Sequence, residues 1–408
     1  MEPKSKCLKS QLNDQINTIV RGQGVFIFSA TNNISIDFTL YNKDKTDGIK
    51  VNITQDQVLV NRIGILAPYT DTNNKQGLSI LKGAYYWFSF DSQNQMLHVG
   101  IGETRIETVI YRHQFKFDFE RDDLRKDHKL FLESLITIHT NNSIKPIRLL
   151  RDPITTAIPL LVRNSSDLTM FDIAMNRYMM KSNLSLTAQK LYDCIAGPNF
   201  ILDTDDFPDF SKAIEYSIVN PDGWCYKKLK AKANEFNKEQ PNLDETYLRI
   251  TLGQNNGESP GIPYVMEIWP VGHYSPIHNH AGAEAIIRVL HGSINVSLYP
   301  FLCNEEIKFA EANFEKGDIT WISPTLNQTH KLRNLDHNTD TCITIQCYMY
   351  NNDDNSHYDY FDYLDADNNI MQYEPDVDMD FINFKKTMIN EWEKYKFNNN
   401  KGFFSCFK

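Results

Sequence analysis

The feature that most restricts the fold is the stretch Gly272-His-Tyr-Ser-Pro-Ile-His-Asn-His-Ala-Gly-Ala-Glu-Ala-Ile-Ile-Arg-Val-Leu-His-Gly292, in which His278 and His280 stand two residues apart. On extended backbone such residues project to the same side, so the pair turns two imidazoles into one space. An apolar run with Ile286, Ile287, Val289 and Leu290 follows, then a turn at His291-Gly292 and a second apolar stretch over 294–299. This pattern predicts an antiparallel hairpin with the histidines at its entrance. Further on, Gly317-Asp318 opens another short apolar stretch, and His330 follows within Thr329-His-Lys-Leu-Arg-Asn334. A lone His-x-His pair says little. Two histidines from one strand and a third from a later strand pair form a nitrogen set suited to a first-row metal ion.

Such a site occupies only part of the chain, since 408 residues exceed what one hydrophobic core usually supports and two domains are expected. Lys+Arg number 42 against 52 Asp+Glu, a formal net charge of −10. That balance disfavours nucleic acid and anionic lipid as principal partners, because both reward a basic face. The expected partner is a small molecule. Seven cysteines without a CxxC pair match neither a disulfide framework nor a cysteine-based zinc site, so reduced thiols are expected. Residues 1–18 lack an apolar run long enough for a signal peptide, and no stretch approaches the ~18 apolar residues of a membrane span. The expectation is a cytoplasmic protein without a membrane partner.

Over 22–111 the chain reads as short strands of alternating β-branched and aromatic residues between Asn, Asp and Gly turns, as in Gly24-Val-Phe-Ile-Phe-Ser and Tyr85-Tyr-Trp-Phe-Ser-Phe. An antiparallel β-sandwich is predicted. The segment Tyr86-Trp-Phe-Ser-Phe-Asp-Ser-Gln-Asn-Gln-Met-Leu-His-Val-Gly-Ile-Gly102 resembles the domain named after farnesoic acid O-methyltransferase, a β-sandwich found in many architectures. That resemblance implies no methyltransferase chemistry; a protein or a glycan is the expected kind of ligand. Residues 1–117 are read as this domain and 118–185 as a connector, charged at first, then apolar, then Pro-containing. Helical periodicity begins near Leu186, with further helices over 210–219 and 227–236, and strands follow to 350. Residues 351–408 form an acidic, aromatic extension with a helix over 381–395.

Residues 186–350 resemble cysteine dioxygenase, a cupin-fold non-haem iron enzyme. The Gly-Asp turn, the apolar strand and His330-x3-Asn334 resemble the second half of its metal signature, and the His278-Asn-His280 run resembles the first. The resemblance implies Fe(II) on His278, His280 and His330. Tyr247-Leu-Arg249 is similar to the family's Tyr-x-Arg segment, which implies that Arg249 holds the substrate carboxylate through paired guanidinium donors, with Tyr247 beside it. Trp269, nine residues before His278, matches a family aromatic at the approach to the site. Thr344-Ile-Gln346-Cys-Tyr348 falls where the family carries Ser-x-His-x-Tyr, which implies a hydroxyl of Tyr348 near the metal, oriented by Gln346 and Thr344 on the same strand face.

Two departures follow. Gln346 replaces an imidazole and cannot carry a proton as one does. Ala285 stands where animal members carry the cysteine that crosslinks to the active-site tyrosine. Glu284 lies one residue from the position of a fourth cupin ligand; a one-residue shift in a strand turns a side chain to the opposite face, unless a bulge at 281–283 restores it. The expected fold class is therefore mainly β, an N-terminal antiparallel β-sandwich followed by a cupin β-barrel with helices preceding it. The expected reaction is the addition of dioxygen to the sulfur of L-cysteine, giving cysteine sulfinate. The alternatives are another thiol, such as 3-mercaptopropionate or an N-terminal cysteine of a peptide, and a non-catalytic cupin that acts as a binding protein.

Overall fold

The computed structural model describes residues 5–8, 15–64, 70–73, 80–115, 122–236, 240–253, 262–302, 308–349 and 360–405. The expected boundaries at 117/118 and 350/351 and the stretch 351–359 lie outside the described residues. The chain is mainly β, built of antiparallel sheets with some helices ahead of the histidine-bearing strands. It divides into two compact units, Met1–Ile158 and Pro159–Lys408.

Unit one holds two six-stranded sheets. In the first the order is Ser5–Cys7, Ile144–Leu150, Gln23–Ala30, Tyr85–Asp91, Met96–Ile101 and Val109–Gln114; in the second it is Gln15–Asn17, Leu135–Thr140, Ser35–Asn42, Asp47–Thr54, Val58–Gly64 and Thr70–Asn73. Period-two alternation sends one row of side chains per strand inward. Apolar residues of both sheets enter one buried cluster, where Phe26, Phe28, Phe38 and Phe88 make ring contacts at 5.1–5.5 Å. On the opposite face of the first sheet Gly100 makes room for Trp87: a Cβ there would fall 2.0 Å from its ring. The strands Leu135–Thr140 and Ile144–Leu150 come from within the stretch read as a connector. A register shift between Pro146 and Arg148 accommodates a residue that cannot donate to the ladder.

Ahead of its large sheet unit two carries the short helix Met170–Ala174 and three longer ones. Leu186–Ile195 begins at Ser185, whose hydroxyl accepts from the Ala188 N–H, and Gly197 follows its end. Phe210–Val219 matches the periodicity, whereas the third of the longer helices is Trp224–Ala231 and not 227–236. The chain turns after it, and Phe236 leaves the helix to pack against Tyr247 and Tyr363.

The strands that follow make a six-stranded sheet in the order Ile319–Ile322, Glu284–His291, Cys342–Met349, Tyr264–Trp269, Leu248–Thr251 and Met379–Asp380, and a three-stranded one, Ala310–Glu315, Ser293–Leu298 and His330–Arg333. Among the described residues these two sheets line one cavity, and closure of a sheet into the expected barrel is not seen. The hairpin turn is where they part. Gly292 sits at φ +66°, with its α-carbon so near the next strand that a Cβ would lie 2.6 Å from the Thr341 carbonyl oxygen. The chain bends there, and the two arms of the hairpin join different sheets. The final helix, Phe381–Ser405, buries Phe384 and Met388. Among the described residues no helix is long and apolar enough to cross a membrane.

Candidate metal centre

A small cavity lies between the sheets of unit two, walled largely by apolar side chains such as Val289, Val296, Leu298 and Phe314. His278, His280 and His330 meet in it, each with one ring nitrogen within 4.8 Å of the others. Backbone pairing fixes their approach: His278 and His330 face each other as an antiparallel bridge, each N–H donating to the other's carbonyl at 3.0 Å. His280 then lies next to them because it is two residues on.

Hydrogen bonds select which nitrogens point inward. The Nδ1–H of His278 donates to the Pro276 carbonyl at 3.0 Å and that of His330 to the Asn327 carbonyl at 2.9 Å, which leaves both Nε2 lone pairs for a ligand. Nε2 of His280 is 3.2 Å from Nε2 of His330. With metal–imidazole bonds of about 2.1 Å, two adjacent ligands of one ion stand roughly 3.0–3.4 Å apart, so the spacing suits a single ion. Burial lowers the pKa of all three, to about 3 for His278 and about 4 for His330, with His280 well below its usual value. The imidazoles therefore stay neutral and available for coordination. The geometry is consistent with a non-haem Fe(II) site of the three-histidine kind.

A second group runs along the same wall. Arg249 on strand Leu248–Thr251 stands in register with Glu267 on strand Tyr264–Trp269, which in turn stands in register with Thr344. Alternation aims Arg249, Glu267, Gln346 and Tyr348 into the cavity. Nη1 of Arg249 donates to Oε1 of Glu267 at 2.6 Å, the Gln346 amide donates to Oε2 of Glu267, and the Tyr348 hydroxyl donates to Oε1 of Gln346. A carboxylate only accepts, so Glu267 fixes which end of the Gln346 amide faces Tyr348. The Tyr348 ring lies parallel to His280, centroids 5.7 Å apart. Burial raises the pKa of Tyr348 well above the usual phenol range, so its hydroxyl stays protonated. Burial likewise raises the pKa of Glu267, opposed by Arg249 and Gln346. For Arg249 burial works against the charge, while Glu267 and neighbouring tyrosines together hold the guanidinium charged.

The remaining expected residues fall around this core. Tyr247 and Trp269 stack face to face at 4.1 Å and both line the cavity. Thr344 is fully buried, 3.4 Å from the Gln346 amide nitrogen. Ala285 stands directly across the ladder from Tyr348 and packs in the same small cluster. Glu284 does not join the histidines. Its carboxylate accepts from the Ser185 hydroxyl at the start of helix Leu186–Ile195, and the ligand group among the described residues is His278, His280 and His330. The turn at Ala281-Gly282, φ +50° and +80°, is present but leaves Glu284 facing the helix side.

The structure adds Glu267 and three aromatics, Phe361, Tyr363 and Tyr373, to the cavity lining. Glu267 is a lone charge in the run Tyr264-Val-Met-Glu-Ile-Trp269, and the structure sets it directly opposite Arg249 on the neighbouring strand. Phe361 packs on His280 at 4.7 Å, brought there by backbone pairing of Tyr363 with His278.

No family model matches the chain. Cysteine dioxygenase type 1 of Rattus norvegicus and that of Mus musculus are each 24% identical to it over 161 residues, 39% of this chain and 70% of theirs. The Homo sapiens enzyme of the same name is 24% identical over 105 residues, 25% of this chain and 50% of its own. Among solved structures, a Caenorhabditis elegans galectin aligns at 10% identity over 36% of this chain and 94% of its own with a TM-score of 0.26, too slight an overlap to carry an argument about fold. The weak homology to cysteine dioxygenase type 1 and the histidine triad together support a non-haem iron, thiol-oxidising dioxygenase function in general.

Proposed function

We propose that unit two oxidises a small thiol with dioxygen to a sulfinate, R–SH + O2 giving R–SO2⁻ + H⁺, with both oxygen atoms ending on sulfur and the sulfur giving up four electrons. The observation that carries this reading is a triad of neutral imidazoles, His280 and His330 buried and His278 half-buried, with no carboxylate in the ligand group among the described residues. When bound, a ferrous ion would supply the charge that acidifies a thiol and the redox capacity that lets dioxygen react. An all-imidazole set leaves that charge undiminished.

The chain's own part is to position and to exclude water. His278 and His330 are held by backbone carbonyls, so they are set before the ion arrives. Apolar walls keep solvent from the reacting sulfur. The Tyr348 hydroxyl donates a hydrogen bond to Oε1 of Gln346 and so presents its oxygen lone pairs to the cavity, beside the His280 ring. Gln346 orients Tyr348 but carries no proton, so any proton leaving the thiol departs by another route. L-cysteine, the expected substrate, would have to share Arg249 with Glu267. The cysteines described as free thiols, Cys7, Cys194, Cys225, Cys342 and Cys347, favour a reducing, cytoplasmic setting.

The test is oxygen uptake by purified, Fe(II)-loaded protein given L-cysteine, 3-mercaptopropionate, 2-aminoethanethiol and a peptide with an N-terminal cysteine, with His278→Ala as the blank. Uptake with at least one thiol, matched by sulfinate and absent in the blank, is expected. No uptake with any of them at full iron loading would leave a non-catalytic cupin.

A further inference from the structure

We infer that Glu267 sets the direction of the hydrogen-bond chain Arg249–Glu267–Gln346–Tyr348, so that Tyr348 meets the substrate as an acceptor of hydrogen bonds and not as a donor. Glu267 acts through Gln346 and is in that sense a positioning residue. The inference rests on the thiol-dioxygenase reading above and deepens it. The hydroxyl beside the triad takes an N–H or S–H of the bound thiol and offers no hydrogen bond to dioxygen, which can only accept.

The direction of such a chain is set by members that can play only one part. A tyrosine hydroxyl donates or accepts, and an amide can turn either end toward it, so Gln346 and Tyr348 alone would fit in both senses. The Thr344 hydroxyl, 3.4 Å from the Gln346 amide nitrogen, decides nothing, because it too can donate or accept. Arg249 and Glu267 do decide. A guanidinium only donates, and Oε1 of Glu267 accepts from Nη1 of Arg249 at 2.6 Å, with both side chains almost wholly buried. Protonating Glu267 there would leave a buried charge uncompensated, so the carboxylate stays ionised and both its oxygens accept. Its second oxygen therefore takes the Gln346 amide N–H, Oε1 of Gln346 turns to Tyr348, and the phenol proton is held in that bond. Register enforces this order. Glu267 lies directly across from Arg249 on one side and, on the other, from Thr344, which shares a strand face with Gln346. What Tyr348 presents to the cavity is the lone pairs of its oxygen, beside His280.

An isosteric change should reverse the chain. In Glu267→Gln the guanidinium still requires an acceptor, so the side-chain oxygen at 267 faces Arg249 and the new amide N–H faces Gln346. Gln346 must then turn over, Tyr348 accepts from it, and the phenol proton enters the cavity. Azide, which accepts hydrogen bonds, reads this without turnover. Protein loaded with Co(II) is titrated with azide, the visible absorption giving the affinity, in the wild type, Glu267→Gln, Tyr348→Phe and the double variant. In the otherwise wild-type chain Tyr348→Phe should leave azide affinity unchanged or raise it. In the Glu267→Gln background the same change should lower it by about fivefold, as expected for one lost hydrogen bond. Comparing the Tyr348→Phe effect between backgrounds cancels the charge that Glu267→Gln removes. An equal effect in both backgrounds overturns the inference and leaves the thiol-dioxygenase reading intact, since Glu267 would then be only structural. Weaker azide binding on Tyr348→Phe in the otherwise wild-type chain also overturns it, even if Glu267→Gln fails to fold. A wild type that binds no Co(II), or binds it where azide cannot reach, overturns the underlying reading and the inference with it.

Discussion

The two units use the same device, antiparallel strands with inward and outward rows, to opposite ends. In Met1–Ile158 the inward rows are nearly all apolar, and the Phe26, Phe28, Phe38 and Phe88 rings fill the space between sheets. In Pro159–Lys408 the inward rows of three neighbouring strands carry Arg249, Glu267 and Gln346 together with Tyr348, and the space is left open. A close-packed interior contributes stability through burial and dispersion. A hollow one with buried polar groups relies on pairing such as the Arg249–Glu267–Gln346–Tyr348 chain to hold those groups in place. The comparison teaches that the architecture is shared and the function resides in four or five alternate positions.

The sharpest way to break the comparison is to remove a ligand. His280→Ala should abolish stoichiometric metal binding and lower thiol oxidation by about a thousandfold or more, as expected for loss of an interaction essential to the chemical step. Metal content by atomic absorption checks the first and oxygen uptake the second. Unit one should be untouched, with its near-ultraviolet circular dichroism retained. A variant that loses its metal and also its unit-one signal would show that the units are not separate in energy.

Acid should separate the units next. His278 and His330 titrate near about 3 and about 4 when folded because of burial, below the 6.5 of an open imidazole. As pH falls through 6.5 the unfolded chain takes up protons that the fold cannot, so the stability of the metal-free unit is full above 6.5 and declines as pH approaches 4. In unit one His98 is likewise lowered to about 4, by burial and then by Arg112. Both units should therefore lose stability on acidification, but only unit two should be protected by a bound metal, which competes with protons for the same lone pairs. Urea midpoints at pH 7.5, 6 and 5, with and without Co(II), check it. An equal slope with and without metal would mean that the triad is not the acid-sensitive element.

Phe88→Ala turns the test round. Phe88 is buried, in edge contact with Phe38 at 5.4 Å, and its truncation should cost about 3–5 kcal/mol by transfer and cavity formation. Denaturant unfolding should register that loss while metal affinity stays at its wild-type value. A fall in metal affinity would contradict the division of labour.

What was legible in the sequence divides along the same line. Strands such as Gln23–Ala30 and Tyr85–Asp91, the helices at 186–195 and 210–219, and the histidine triad rest on local period or spacing, and each was readable. The parting of the strands on either side of Gly292 into different sheets was not, because it depends on where the chain turns rather than on strand pattern. The strand Ile144–Leu150 was masked by Pro146, which a ladder admits only at an irregularity. Glu267 escaped for a different reason. A carboxylate in an apolar strand becomes meaningful only when the register sets it opposite Arg249, and register is a property of two strands. The aromatic contributions of Phe361 and Tyr373 depend on a return of the chain after residue 359 that no local pattern announces.

The smallest expected effect bears on the ligand count. Ser185 both caps helix Leu186–Ile195 and donates to Glu284, so Ser185→Ala removes a cap and leaves a carboxylate of raised pKa without its main donor. The cap alone is typically worth about 1 kcal/mol. Thermal unfolding should shift by a few degrees, and the Co(II) content and its absorption spectrum should not change, because Glu284 faces the helix and not the cavity. If the spectrum instead shifts toward a higher coordination number, the released Glu284 has reached the ion. The strand would then have moved by one residue, and the alternation that separates the helix face from the cavity face in this unit would not hold at its first position.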